Sequence, residues 1–334
     1  MNILYLYKEK WEKEYIGSQQ LTVNIQFAER LKEVSEEDLK KAEALSVFVS
    51  HPVSKEILEK MPNLKLIATR STGFDHIDVT AAKEKSIQVV YVPSYGENTV
   101  AEFAFALLLA LSRKIPEAHE QVTKTGSFDQ SKLGGFDLKD KTIGIVGTGR
   151  IGTHAIKMAK GFDMKVVACD PFPKQNLDKE LGFQYVGFEE LLGLSDVISL
   201  HASLSDNTHH MINEESIKHI KSGAVLINTA RGGLVQTPAL VKALEEGILS
   251  AAGLDVLEEE GDMVDETNLF DNPHPKLEEL KNVLANHYLI NHPRVIVTPH
   301  IAFNTKEAVK RILDTTIENI KSFASGEIKN KIPN

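Results

Sequence analysis

The amino-acid sequence predicts an α/β protein of two doubly wound parallel-sheet domains, and three observations carry that expectation. Short apolar runs of strand length alternate with amphipathic helical stretches almost from end to end, the pattern of parallel strands joined by right-handed crossover helices. A chain of 334 residues is about two domains long at roughly 150 residues each. The apolar runs also fall into two series, divided near residue 98.

The first series reads as strands at 3–7, 22–27, 45–49, 64–69 and 88–92. A helix over 98–113 follows, with the apolar run 103–111, and then a less regular stretch, 121–140, containing Gly126, Gly134 and Gly135. The second series reads as six strands at 142–146, 165–169, 197–201, 224–228, 251–255 and 295–298. The mixed segment 257–293, with Pro273, Pro275 and Pro293, reads as a long loop, and loops of that length tend to be functional. The stretch 304–332 holds one long amphipathic helix, which is expected to rejoin the first series. The expected domains are therefore nested: 1–98 plus 301–334, and 99–300.

Composition narrows the function. Apolar residues make up 42% and charged residues 25%, ordinary for a globular protein. A net charge of -9 without long like-charged blocks argues against nucleic acid or an anionic membrane as partner and leaves small molecules. The nine-residue run 103–111 is far short of the roughly 20 residues a membrane-spanning helix needs. The sole cysteine, Cys169, allows no internal disulfide and fits a reducing compartment. The N-terminus shows no basic leader, so a cytoplasmic location is expected. Neither internal repeats nor low-complexity tracts are evident.

Gly147-Thr148-Gly149-Arg150-Ile151-Gly152 fits G-x-G-x-x-G and stands between an apolar strand and a helix, where a dinucleotide-binding loop belongs. Gly147 permits the tight turn, Gly149 lets backbone approach a pyrophosphate, and Gly152 allows helix to pack on strand. Arg150 adds positive charge, and Ile151 is expected with the rest of the loop at the cofactor. Asp170 ends the next strand, 18 residues past Gly152, close to the spacing at which a carboxylate meets the adenosine ribose hydroxyls. A carboxylate repels a 2′-phosphate, and Pro171-Phe172-Pro173 offers no arginine to receive one. NAD is the expected cofactor.

Ligands of open α/β sheets bind beyond the carboxyl ends of the strands. In the second series those positions hold Thr229, Ala230 and Arg231, then Asp255, then Pro299 and His300. Hydride chemistry on a 2-keto acid needs a fixed cation for the carboxylate and carbonyl, and an acid/base group for the oxygen. Arg231 and His300 suit those roles. Glu258, Glu259 and Glu260 are consecutive, and the residues alone do not single out any one of them.

Several motifs in order resemble the D-isomer-specific 2-hydroxyacid dehydrogenases, most of all their D-lactate dehydrogenase branch. They are residues 71–78 (STGFDHID), 92–95 (VPSY), 99–102 (TVAE), the dinucleotide loop, 225–232 (VLINTARG), 253–256 (GLDV) and 298–303 (TPHIAF). The resemblance spans nearly the whole chain. It implies a Rossmann NAD-binding domain inserted into a flavodoxin-like substrate domain, and a catalytic Arg231, Glu260 and His300 that reduce pyruvate to D-lactate. His300 is the acid/base group, Glu260 favours its protonated form, and Arg231 holds the substrate carboxylate or polarises the carbonyl. It implies cofactor contacts at Thr99, Ala202, Ser203 and Thr208, with Ser203 standing where many members have proline. Thr229, Ala230 and Asp255 are implied likewise. Backbone at Thr72 and Gly73 would receive the substrate carboxylate, with Tyr95 and Phe303 lining the pocket.

The same chemistry on glycerate, hydroxyisocaproate or phenylpyruvate-type acids is the alternative. Further off stands a dinucleotide-sensing scaffold like the corepressors that share these motifs. The resemblance also implies a homodimer, through the helix at 98–113 and the glycine-bearing segment after it. No metal site is expected: His209, His210, His219, His274, His287 and His292 lie in polar segments without metal-ligand spacing. His201 reads first as a structural histidine and Cys169 as inert packing.

Overall fold

The computed structural model describes residues 1–19, 21–258 and 277–333. The chain divides into two compact units, one formed by Met1–Tyr95 with Thr305–Asn334 and the other by Gly96–Asn304. Both crossings lie three or four residues from the boundaries read in the sequence.

The first unit holds a five-stranded parallel sheet of β1 (Asn2–Leu6), β2 (Asn24–Ala28), β3 (Ala44–Val47), β4 (Leu66–Thr69) and β5 (Gln88–Val90). Its spatial order is β2-β1-β3-β4-β5, the doubly wound arrangement whose strand order reverses beside β1. Both faces are covered. Leu4, Leu6, Leu45, Val47, Ile67 and Val89 fill one core. Ile3, Ala44, Leu66 and Val90 fill the other with Ile320, and Tyr5 packs there with Leu313 and Ile317.

Leu313, Ile317 and Ile320 belong to the helix Lys306–Ala324. Their i, i+4, i+7 spacing makes one apolar stripe, and each side chain removed from water stabilises by about 1.5–3 kcal/mol. The Thr305 hydroxyl accepts the Ala308 amide and caps the helix start. The Asn319 side chain donates to Tyr91 O at 3.0 Å, and Ile332 N donates to Val89 O at 3.1 Å. The returning chain thus completes the first unit.

The second unit carries seven parallel strands: β6 (Thr142–Val146), β7 (Lys165–Cys169), β8 (Gln184–Tyr185), β9 (Val197–Leu200), β10 (Ala224–Asn228), β11 (Leu249–Leu254) and β12 (Val295–Val297). Their order is β12-β11-β10-β9-β6-β7-β8, reversing between β6 and β9. Val146, Ile198, Leu200, Leu226 and Leu254 face one core. Ile143, Ile145, Val197, Val225 and Ile227 face the other, against the helices Glu97–Ser112 and Arg150–Gly161. Burial on both faces is why these strands read as continuous apolar runs.

Two expectations need correction. The sheet has a seventh strand, β8, only two residues long, paired with Val167 and Ala168 and too short to show a period in sequence. The segment 257–293 is not all loop, because the helix Leu277–Asn291 occupies much of it. Its prolines lie before and after that helix in sequence, where proline is tolerated, and among the described side chains of the helix Val283, Asn286 and Leu289 are buried. Among the described residues no helix is long and apolar enough to cross a membrane.

Candidate active site

The dinucleotide loop follows β6 at the point where strand order reverses. Gly147 has φ +92°, a conformation side chains resist, and a Cβ there would lie 2.8 Å from His201 O. A Cβ on Gly152 would lie 1.9 Å from Gly147 O, so only glycine lets the helix pack this closely on the loop. Gly149 differs, since a Cβ there would meet nothing within 4 Å among the described residues. The cradle is open above Gly149, and the uncapped N-terminal amides of the twelve-residue helix Arg150–Gly161 supply anion donors. Arg150 is largely exposed and lies 3.4 Å from the Glu97 carboxylate. Ile151 is half-buried against the core beneath. These groups fit a dinucleotide pyrophosphate.

Asp170 closes the site at the end of β7. Its Oδ2 accepts the Thr148 amide at 2.6 Å and the Thr148 hydroxyl at 2.9 Å, and its Oδ1 accepts the Phe172 amide at 2.8 Å. The Thr148 Oγ1 also lies 2.9 Å from the Tyr185 hydroxyl. Thr148 and Tyr185 escaped the sequence reading, although Thr148 fixes the rotamer of the Asp170 carboxylate and Tyr185 braces Thr148. After β9, burial holds His201 at a pKa of about 4, so its imidazole is neutral at pH 7, with Nε2 2.9 Å from Ser199 Oγ. In the next turn Ala202 is half-buried and Ser203 exposed. The Thr208 hydroxyl donates to Ser203 O at 2.7 Å and accepts the Ser205 amide at 2.8 Å, shaping the turn through backbone whatever the side chain at 203.

Beyond β10, the Asn228 side chain holds the next turn from both sides. Its Oδ1 accepts the Ala230 amide at 3.0 Å and its Nδ2 donates to Arg231 O at 2.9 Å. Arg231 Nη1 donates to Ala230 O at 2.8 Å. Thr229 is buried, and its hydroxyl has no hydrogen-bond partner among the described residues. Thr99 is buried in the first turns of the helix Glu97–Ser112.

Asp255, fully buried after β11, grips the segment that carries His300. Its Oδ1 accepts the Thr298 hydroxyl at 2.6 Å and the Ile301 amide at 2.9 Å, and its Oδ2 accepts the Ala302 amide at 2.7 Å. Burial raises the Asp255 pKa, opposed by these hydrogen bonds. His300 has φ +51°, a left-handed conformation that costs a residue with a side chain about 1–3 kcal/mol. Ala302 and Phe303 are buried beyond it. Glu260 lies outside the described residues.

In the first unit, Thr72 and Gly73 follow β4 and Tyr95 follows β5. The Thr72 hydroxyl donates to Val92 O at 2.9 Å, the Ser71 hydroxyl donates to Gly73 O at 2.6 Å, and Arg311 Nε donates to Tyr95 O. The fold also gathers His209, His210 and Glu258, whose ligand atoms all lie within 4.8 Å of one another. Sequence spacing gave no hint of this cluster, and His274 lies outside the described residues.

The model of the D-isomer specific 2-hydroxyacid dehydrogenase NAD binding domain matches residues 105–302. The chain belongs to the D-isomer-specific 2-hydroxyacid dehydrogenase family. It is 40% identical over 305 residues to a glyoxylate reductase of Thermococcus litoralis, covering 89% of this chain and 85% of that one. It is 36% identical over 291 residues to D-lactate dehydrogenase of Escherichia coli, covering 85% and 84%. Among solved structures, D-lactate dehydrogenase of Aquifex aeolicus complexed with NAD and lactic acid matches with a TM-score of 0.86 and 38% identity, covering 98% of this chain and 96% of that one. The 2-hydroxyacid dehydrogenase described here is therefore an oxidoreductase with NAD as its cofactor, and the second unit is its Rossmann domain.

Proposed function

We propose that the enzyme is a D-lactate dehydrogenase that reduces pyruvate reversibly to D-lactate, with Arg231, Glu260 and His300 as its catalytic residues. The observation that supports this reading is that Arg231 follows β10 and His300 follows β12, the strands on either side of β11, with the backbone at Arg231 held by Asn228 and that at His300 by Asp255. Bound NADH supplies the hydride. Arg231 binds the 2-keto acid carboxylate and polarises its carbonyl, a planar donor matched to a planar anion. As C2 receives the hydride, His300 gives its ring proton to the carbonyl oxygen, and the alcohol forms with charge balanced. Glu260 pairs with His300 and favours its protonated form. Thr72 and Gly73 receive the carboxylate through backbone, and Tyr95 and Phe303 bound the pocket. Asp170 selects NAD over NADP, while Thr99, Ala202, Ser203, Thr208, Thr229, Ala230 and Asp255 complete the cofactor's surroundings.

The test is NADH oxidation with pyruvate and a panel of 2-keto acids, followed by chiral analysis of the product. Pyruvate is expected to have the highest kcat/KM and to yield the D-isomer. L-lactate as product, or no turnover of any 2-keto acid, would overturn the reading. A second substrate has specific support, because the relatives include glyoxylate reductases; a kcat/KM for glyoxylate above that for pyruvate would assign the enzyme to that reaction. A homodimer formed through the helix Glu97–Ser112 and the segment after it is part of the proposal. A monomer by light scattering would remove that part.

A further inference from the structure

We propose that His209, His210 and Glu258 form a binding site for a divalent transition metal of the zinc class. Two imidazoles and one carboxylate are the donor set such ions prefer, whereas magnesium and calcium prefer oxygen alone. The carboxylate is pre-oriented. Glu258 Oε2 accepts the Thr237 amide at 2.9 Å and the Thr237 hydroxyl at 2.8 Å, and Glu258 O accepts the Asn286 side chain at 2.7 Å. These bonds leave Oε1 directed at His210 Nε2, to which it is hydrogen-bonded.

The histidines are arranged by the backbone. Consecutive side chains on extended chain point to opposite sides, but His210 sits at φ +52°, and the two rings stack with centroids 3.8 Å apart and planes 28° from parallel. That conformation is held from both sides: His210 N donates to Gly233 O at 2.8 Å, and its carbonyl accepts the Asn213 side chain at 2.9 Å. Ligand atoms within 4.8 Å of one another need only a small contraction to share one ion, at the expense of the His210–Glu258 hydrogen bond. His209 is exposed and His210 and Glu258 are half-buried, which gives an entry path and leaves a coordination position for water.

The test uses the full chain, dialysed against a chelator and titrated calorimetrically with zinc chloride at neutral pH. One ion per chain at micromolar affinity is expected. His209→Ala, an exposed position, should weaken binding by about tenfold or more with its circular dichroism and thermal midpoint unchanged without metal. The control His119→Ala, exposed elsewhere, should bind as the parent does. Cobalt in place of zinc should give the visible bands of a low-coordinate nitrogen/oxygen site, lost in His209→Ala. Absence of saturable zinc binding would overturn the proposal, and so would undiminished binding in both His209→Ala and His210→Asn. The outcome does not depend on which 2-keto acid the enzyme reduces.

Discussion

The backbone carbonyl of Asp255 accepts the His300 amide at 2.9 Å, while the Asp255 carboxylate takes up the Thr298 hydroxyl and the amides of Ile301 and Ala302. One buried residue thus fixes the chain on both sides of a histidine in left-handed conformation. Asp255→Asn keeps the shape but turns a donor toward donors and removes the charge, which should cost about 2–3 kcal/mol. Thermal unfolding should show that loss, and kcat should fall with it as His300 loses its placement. Unchanged stability and kcat would show that the grip is dispensable.

The dinucleotide loop separates folding from binding at two glycines. Gly149→Ala adds a methyl where nothing lies within 4 Å, so thermal stability should stay within about 0.5 kcal/mol of the parent while NADH affinity drops. Gly152→Ala drives its methyl into Gly147 O and should destabilise the unit itself. Calorimetric NADH titration beside thermal melts separates the two. Equal affinity losses without any stability difference would contradict the packing argument.

Under the proposed function, Asp170 sets the choice of cofactor through its charge. Asp170→Arg should shift the NADH to NADPH ratio of kcat/KM toward NADPH by on the order of tenfold or more. It also releases the Thr148 amide and hydroxyl, so activity with NADH should fall in absolute terms. An unchanged ratio would mean that the carboxylate does not face the ribose.

Arg231→Lys keeps the charge and loses the planar fork. If Arg231 binds the substrate carboxylate, kcat/KM for pyruvate should fall by about 10²–10³, with NADH affinity and thermal midpoint near parental values. A KM change alone, with kcat intact, would restrict Arg231 to uniform binding.

His201 makes stability depend on pH. Its folded-state pKa is about 4, below the ordinary 6.5, so between those values the unfolded chain binds a proton that the folded chain does not. The stabilisation is fully present above pH 6.5 and is lost as pH falls toward 4, with a limiting slope of about 1.4 kcal/mol per pH unit. Denaturant unfolding of the parent and His201→Asn across that window should give a flatter profile for the variant. Parallel profiles would remove His201 as the cause.

Most of the scaffold was legible because burial on both sheet faces writes each strand as an apolar run, as at β6, β9 and β10. What failed to show depended on few residues or on distance. β8 is two residues of edge strand, and the helix Leu277–Asn291 was hidden by prolines that bound it rather than break it. The glycine loop, Asp170, Arg231 and His300 were legible because each stands at a strand end. The Thr148–Tyr185 contact and the Glu258–Thr237 anchor were not, since they join residues 37 and 21 positions apart with no periodic signal to pair them.

The return of the chain at Thr305 to finish the first sheet sets an order of events during synthesis. The strands β1 to β5 are made early, yet the helix that covers one face is made only after Gly96–Asn304. At roughly 5–20 residues per second, the apolar face of Ile3, Tyr5 and Leu66 stays uncovered for on the order of 10–40 s on the ribosome. The second unit, contiguous in sequence, suffers no such delay. Until then the half-built first sheet exposes apolar surface that the finished unit buries.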